Sequence, residues 1–227
     1  MDLITADQMR RIEQAAIDSG AVTGLALMER AGAGVVQAIA EEVPTLNPKR
    51  AAVLCGPGNN GGDGFVIARL LHDQGWQVAV YAFGDQNRLP PDARQNAARW
   101  SERGPVHSYD DAAFVAALRD PNAPKVTLLI DAFLGIGLSR PATFCSALMR
   151  HCAERRHSGA AMPKIVAVDI PTGLNSDTGK VHDSDQSIET QALAADLTVT
   201  FHQAKRGHKL AHGPALCGQV IVKDIGL

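Results

Sequence analysis

Apolar positions recur at helical spacing through the first part of the chain and then gather into short uninterrupted runs. Thr5 and Gln8 have capping-box spacing, in which each side chain satisfies the other's free backbone N–H. Met9, Ile12, Ala16 and Ile17 follow on one helical face. Leu25, Met28, Gly32, Val35, Val36 and Ile39 line a second helix, which ends near Pro44. Both helices precede any strand, so the expectation is a lid or an oligomer surface added to the core.

From there helices and strands alternate. Residues 51–55, 78–83, 126–130, 164–168, 197–201 and 220–222 read as strands, and residues 64–72, 92–102, 110–119 and 142–155 as helices. Residues 175–191 are polar and read as a surface loop with a helical turn near its end. Continuous apolar runs separated by helices predict a mostly parallel sheet covered on both faces. The 227 residues fit one domain spanning 1–227 and bury enough surface to fold without a disulfide or a structural metal.

Composition narrows the function. Apolar residues make up 45% and charged residues 20%, as in a globular protein, and the formal net charge of −2 speaks against a general nucleic-acid binder. Lys205, Arg206 and Lys209 form a local basic run that reads as a solvated turn. Cys55, Cys145, Cys152 and Cys217 form no C-x-x-C pair and read as buried thiols of a reducing compartment. The start carries no basic and apolar leader, and no apolar run approaches the ~20 residues that cross a bilayer, so a cytoplasmic location is expected.

The richest chemistry lies between the first strand and the next helix. Gly56-Pro-Gly-Asn-Asn-Gly-Gly-Asp-Gly64 lets the backbone turn tightly and offers N–H groups at a helix start to a phosphate-bearing nucleotide. Gly56-x-Gly58-x-x-Gly61 matches the dinucleotide fingerprint, with Asp85 at about the expected ~20-residue spacing. No Gly-Lys-Ser/Thr follows, so it is not a Walker A loop. Asn59, Asn60 and Asp63 make the turn unusually polar. Asp63 would repel a phosphate in direct contact and suits an N-cap or a hydrogen bond to a hydroxyl.

Two strands run straight into aspartates, Asp131 and Asp169, which a parallel sheet brings to the same edge as the Gly-rich loop. Asn60, Asp131 and Thr172 supply hard oxygen ligands suited to a low-charge cation. His208 and His212 have i, i+4 spacing, but their glycine-flanked segment reads as a loop and not as a metal site. Trp76, Trp100, Cys145 and Cys152 read as packing.

Together these motifs resemble the YjeF N-terminal domain family, the NAD(P)H-hydrate epimerases. The resemblance runs from Ile4 to Leu227 and rests on Leu27-Met-Glu-Arg-Ala-Gly32, Gly56 to Gly64, Asp131 to Pro141, Val168-Asp-Ile-Pro-Thr-Gly173, Asp177-Thr-Gly179, Ala195 to Phe201 with Lys205, and Val222 to Gly226. The family's usual Gly-Thr-Gly is Gly135-Ile136-Gly137 here, its Pro-Ser-Gly is Pro171-Thr172-Gly173, and an aspartate of its first helix is Glu13.

The resemblance implies a Rossmann-like three-layer α/β/α sandwich, working as a homodimer, that interconverts the R and S forms of hydrated NADH and NADPH. It implies substrate contacts from Asn59, Asn60, Gly61, Gly62 and Asp63, from Gly135, Ile136, Gly137, Leu138, Ser139, Arg140 and Pro141, and from Asp169. It further implies a potassium ion on Asn60, Asp131 and Thr172, and a separate dehydratase as functional partner. Asp169 is the expected general acid/base. The rival readings are a non-catalytic binding or scaffold protein on the same fold and an ordinary NAD-dependent dehydrogenase. The latter would need a substrate domain for which little chain is left.

Overall fold

The computed structural model describes residues 3–137, 141–182 and 187–227. Seven strands form one sheet in the order β3-β2-β1-β4-β5-β6-β7, and every pairing is parallel. The strands are β1 (Arg50–Cys55), β2 (Gln77–Ala82), β3 (Val106–Ser108), β4 (Leu128–Ala132), β5 (Lys164–Val168), β6 (Leu197–Phe201) and β7 (Gln219–Lys223). The order reverses between β1 and β4, the switch point where open α/β sheets take their ligands.

Helices α2 (Gly24–Glu42), α3 (Asn59–Asp73) and α4 (Pro91–Ser101) cover one face. Helices α5 (Asp111–Arg119) and α6 (Ser146–Ser158) cover the other, and a short α7 (Gly213–Leu216) precedes β7. Side chains from alternate positions of β1, β4 and β5 fill two separate apolar cores. Val53, Ile130 and Val168 point to the α2–α3 side, and Leu54, Leu129 and Ala167 to the α5–α6 side. Trp76 and Trp100 are buried packing residues. β3 goes unpredicted because its three residues are half-buried or exposed and make no apolar run.

The expectation for the two N-terminal helices needs correction. α2 is an integral layer of the sandwich: Leu27, Met28, Ala31, Val35, Val36 and Ile39 are buried against α3 and the sheet. At Gly32 a Cβ would strike the Val66 side chain of α3, so the absent side chain sets how closely the helices approach. α1 (Ala6–Asp18) is different. It opens with the predicted capping box, Gln8 N–H donating to Thr5 Oγ1 at 3.1 Å and Thr5 N–H to Gln8 Oε1 at 2.8 Å. It then lies over the carboxyl edge of the sheet, where Ala6 N–H donates to Asp177 and Arg10 donates to the Ile136 carbonyl.

All four cysteines are free and buried. Burial pushes the Cys152 and Cys217 thiols up to about 12 and raises Cys55 and Cys145 as well. At pH 8 a thiol of that kind is ionised in about one molecule in ten thousand, and the thiolate is the reactive form. The folded protein should therefore leave Ellman's reagent almost unconsumed at pH 8, and denaturant should release four thiols per chain. Rapid titration of the native protein would contradict this burial. Among the described residues no helix is long and apolar enough to cross a membrane.

Candidate active site at the carboxyl edge of the sheet

The Gly-rich segment is more helical than expected. β1 ends at Cys55, Gly56 N–H donates to the Ala132 carbonyl at 3.0 Å, and α3 starts at Asn59, five residues before the predicted start at 64. Asn59, Asn60, Gly61, Gly62 and Asp63 are thus helix and not loop. Gly58 is the N-cap and offers no side-chain cap, so of the two roles that suit Asp63, N-cap or hydrogen bond to a hydroxyl, the first is ruled out. The reason lies in close backbone approach. A Cβ at Gly56 would run into the Phe133 carbonyl oxygen, and one at Gly61 into the Gly56 carbonyl oxygen. Without those side chains the helix begins directly against the ends of β1 and β4.

Asn59 is exposed and Asn60 half-buried. The Asn60 Nδ2 is a buried polar atom without a hydrogen-bond partner, and its Oδ1 faces Gly135. Asp85, the acidic partner of the dinucleotide fingerprint, is exposed and accepts from Asn87 N–H at 2.9 Å, which caps a local turn.

Asp131 lies within β4, in register with Leu54 of β1 and Ala167 of β5. It is fully buried, as is Thr172. The Thr172 hydroxyl donates to Asp131 Oδ1 at 2.7 Å and its N–H to Oδ2 at 2.8 Å, while Phe133 N–H donates to Oδ1 at 3.3 Å. Burial raises Asp131 to about 6 against the pull of these donors. Leu134 N–H donates to Thr172 Oγ1 at 3.1 Å. A continuous chain of contacts thus links Asn60, Gly135, Leu134, Thr172 and Asp131. The three residues read as cation ligands come together, with oxygen donors only. Among the described residues no group of three or more His, Cys, Asp or Glu is placed to hold a metal ion.

Of the second binding loop, Gly135 and Ile136 are half-buried, Gly137 and Pro141 exposed, and Ile136 packs on the larger apolar core. Leu138, Ser139 and Arg140 lie outside the described residues.

Asp169 follows β5 directly and is buried, with φ 66°, a left-handed backbone that few non-glycine residues adopt. Its N–H donates to the Val199 carbonyl at 2.8 Å. Its Oδ1 accepts from Thr200 Oγ1 at 2.7 Å and lies 2.9 Å from the Lys205 ammonium. Burial alone would raise this carboxyl; Lys205, then Thr200 and His208, more than offset it and hold it below the usual carboxylate range. Two more carboxyls share the edge. Burial, then the Asp169 and Glu13 charges, raises Asp63 well above its ordinary value, although part of the residue remains open to solvent. Burial, then Asp169, also raises Glu13 of α1. Carboxyls driven apart in this way can divide acid and base roles among themselves.

Within the basic run at 205–209, Arg206 and Lys209 are exposed as expected, and Lys205 is the departure. Lys205 is 1% exposed, so it is no solvated turn residue. His208 is buried as well, accepting from Lys205 N–H at its Nδ1 (3.0 Å) while its Nε2 lies 2.8 Å from the Asp169 carbonyl. Both ring nitrogens are thereby engaged. The sequence carries one signal for this cluster: Thr198 and Thr200 interrupt the inward positions of an otherwise apolar strand.

A family profile described as YjeF-related protein N-terminus matches residues 24–207. The chain belongs to that family. Among its relatives, a Roseobacter litoralis protein named NAD(P)H-hydrate epimerase is 41% identical over 243 residues, covering 100% of this chain and 99% of the relative. A Rhodobacter capsulatus protein of the same name is 42% identical over 231 residues with the same coverage. A Methanothermobacter thermautotrophicus protein named bifunctional NAD(P)H-hydrate repair enzyme Nnr is 36% identical, covering 96% of this chain and 40% of the relative. The YjeF-type fold is matched by the crystal structure of yeast ynu0, YNL200c, with a TM-score of 0.76 and 23% identity over 99% of this chain and 88% of that one. The profile begins after α1, so the helix that brings Arg10 and Glu13 to the site lies outside the matched span.

Proposed function

We propose that this protein is an isomerase that interconverts the R and S forms of hydrated NADH and NADPH, with Asp169 as its general acid/base. One observation carries the residue assignment: a buried carboxylate, held ionised by Lys205 in a left-handed backbone, stands at the switch-point edge of the sheet. Close, full-length relatives carry the name of that activity. Inverting C6 of the hydrated ring requires a bond to break there, either by loss and re-addition of water or by opening and reclosing the N1–C6 bond. Both routes need a positioned proton-transfer group. Asp169 can accept a proton, and Asp63, which favours its protonated form, can return one.

The oxygen set of Asn60, Asp131 and Thr172 fits a potassium ion. It offers one carboxylate with neutral oxygens, and a half-turn of the Asn60 amide would bring its carbonyl to the place of the unpartnered Nδ2. Bound there, potassium would supply positive charge beside the buried Asp131 carboxylate. Asn59 to Asp63 would then hold the substrate from α3, and Gly135 to Pro141 from the facing loop. The bifunctional relative supports a place beside a dehydratase, and the family resemblance supports a homodimer.

The direct test mixes the purified chain with the R hydrate and follows the S form by chromatography, in potassium and in tetramethylammonium buffer. The expected result is conversion faster than the spontaneous rate, and faster in potassium. No acceleration over the spontaneous rate in either salt would overturn the proposal.

A further inference from the structure

Lys205 has no solvent, no surface partner and no packing need for a charge. Its ammonium is enclosed by three acceptors: Asp169 Oδ1 at 2.9 Å, Thr200 Oγ1 at 2.9 Å and the Phe201 carbonyl at 3.1 Å. An ammonium has three protons to donate, so the set is complete. A buried ammonium is costly to desolvate, and replacing such a pair by apolar residues often stabilises a protein. Stability is thus a poor reason for a lysine here.

The surroundings hold Lys205 as firmly as it holds Asp169. The N-terminal segment forms a parallel bridge at Ile4 opposite Lys205, with Ile4 N–H donating to the Ala204 carbonyl and Arg206 N–H to the Ile4 carbonyl. His208 ties the Lys205 N–H to the Asp169 carbonyl, so one ring braces both backbones. Thr200 bridges the two side chains. The Asp169 carboxylate is therefore fixed at its Oδ1.

Resting on the function proposed above, we infer that Lys205 is the positioning residue of the site, and that Lys205, Thr200 and His208 form a brace that holds Asp169 in its working orientation. Glu13 of α1 and Asp63 of α3 also feel the Asp169 charge, and Arg10 of α1 acts on Glu13. Lys205 is the cation in direct contact with Asp169.

The test compares wild type with Lys205→Met, Lys205→Arg and Thr200→Val. Lys205→Met should lower kcat roughly 10- to 100-fold, in line with losses seen for groups that orient a working ligand. KM should change little, and the acid limb of the kcat/KM profile should move to higher pH. Lys205→Arg should recover part of kcat and return the acid limb towards wild type, which a purely structural role would not do. Should Lys205→Met fail to fold, Thr200→Val should show the same displacement to a smaller degree. Unchanged kcat and acid limb in whichever of these variants fold would overturn the inference. A wild type inactive on the hydrate would instead sink the function proposal. In that case the carbon-13 carboxyl titration of Asp169 decides on Lys205. A higher midpoint in the folded Lys205 or Thr200 variant supports the brace, and an unchanged midpoint overturns it.

Discussion

Asp169→Asn is expected to fold and to lose epimerisation by about 10²- to 10⁴-fold in kcat, the range in which positioned proton transfer contributes. Asparagine keeps the shape of the side chain and is among the residues that tolerate a left-handed backbone, so the φ of 66° remains accessible. What it removes is the proton site and the negative charge beside Lys205. The amide oxygen can still accept from the ammonium, but a buried cation without its counterion is costly, and breaking such a pair from one side typically costs about 3–5 kcal/mol. The pH dependence has a definite sign. Asp169 is held below its ordinary value in the folded state, so its contribution to stability is present above the unfolded carboxylate range and is lost as pH falls through the folded value. The variant lacks that contribution, so its stability should fall less steeply on acidification than wild type. Thermal melts at a series of pH values, run beside the kinetic assay, measure both effects. A folded Asp169→Asn protein with wild-type kcat would remove Asp169 from the chemistry.

The sheet and its ligand edge were legible because the apolar runs are short, uninterrupted and separated by helices. That is the pattern of strands buried on both faces. Strands β5 and β6 match their predicted bounds, and Asp131 and Asp169 reach the predicted edge. Three features were not legible, each for its own physical reason. The start of α3 was hidden because glycines signal turns, whereas here they admit a helix against backbone atoms that no side chain could approach. The place of α2 was hidden because order along the chain does not say which face of the sheet a helix covers. Lys205 was hidden because a lysine beside an arginine reads as solvent-exposed, and only the fold brings Asp169 and Thr200 to it. Asn60, Asp131 and Thr172 were visible as residue types, but the contacts that join them through Leu134 N–H and Gly135 depend on how the start of α3 meets the loops after β4 and β5.

Gly61→Ala is expected to damage stability and site together. A methyl group at this position would run into the Gly56 carbonyl oxygen; its own place is fixed by the backbone and its partner is backbone, so no side-chain rotation relieves the contact. Overpacking of this kind typically costs about 1–3 kcal/mol and sometimes more. For a chain of this size that corresponds to a melting temperature lower by roughly 2–12 °C. The gain in intrinsic helix propensity from Gly to Ala, ~1 kcal/mol, is too small to offset a clash at the upper end of that range. Relief has to come from moving the start of α3 away from the end of β1, which carries Asn59, Asn60 and Asp63 with it. Catalysis should therefore fall by more than stability alone explains, because a displacement of about 1 Å at a positioned group can cost ~10²-fold. Gly58→Ala is the matched control. Its added methyl meets no atom within 4 Å and its φ is −118°, so no clash is expected, and only the loss of glycine as N-cap, about 0.5–1 kcal/mol, remains. Melting curves and epimerisation rates for the pair separate close approach from a general need for flexibility. Equal behaviour of the two variants would show that the tight contact between Gly61 and Gly56 does not shape the site.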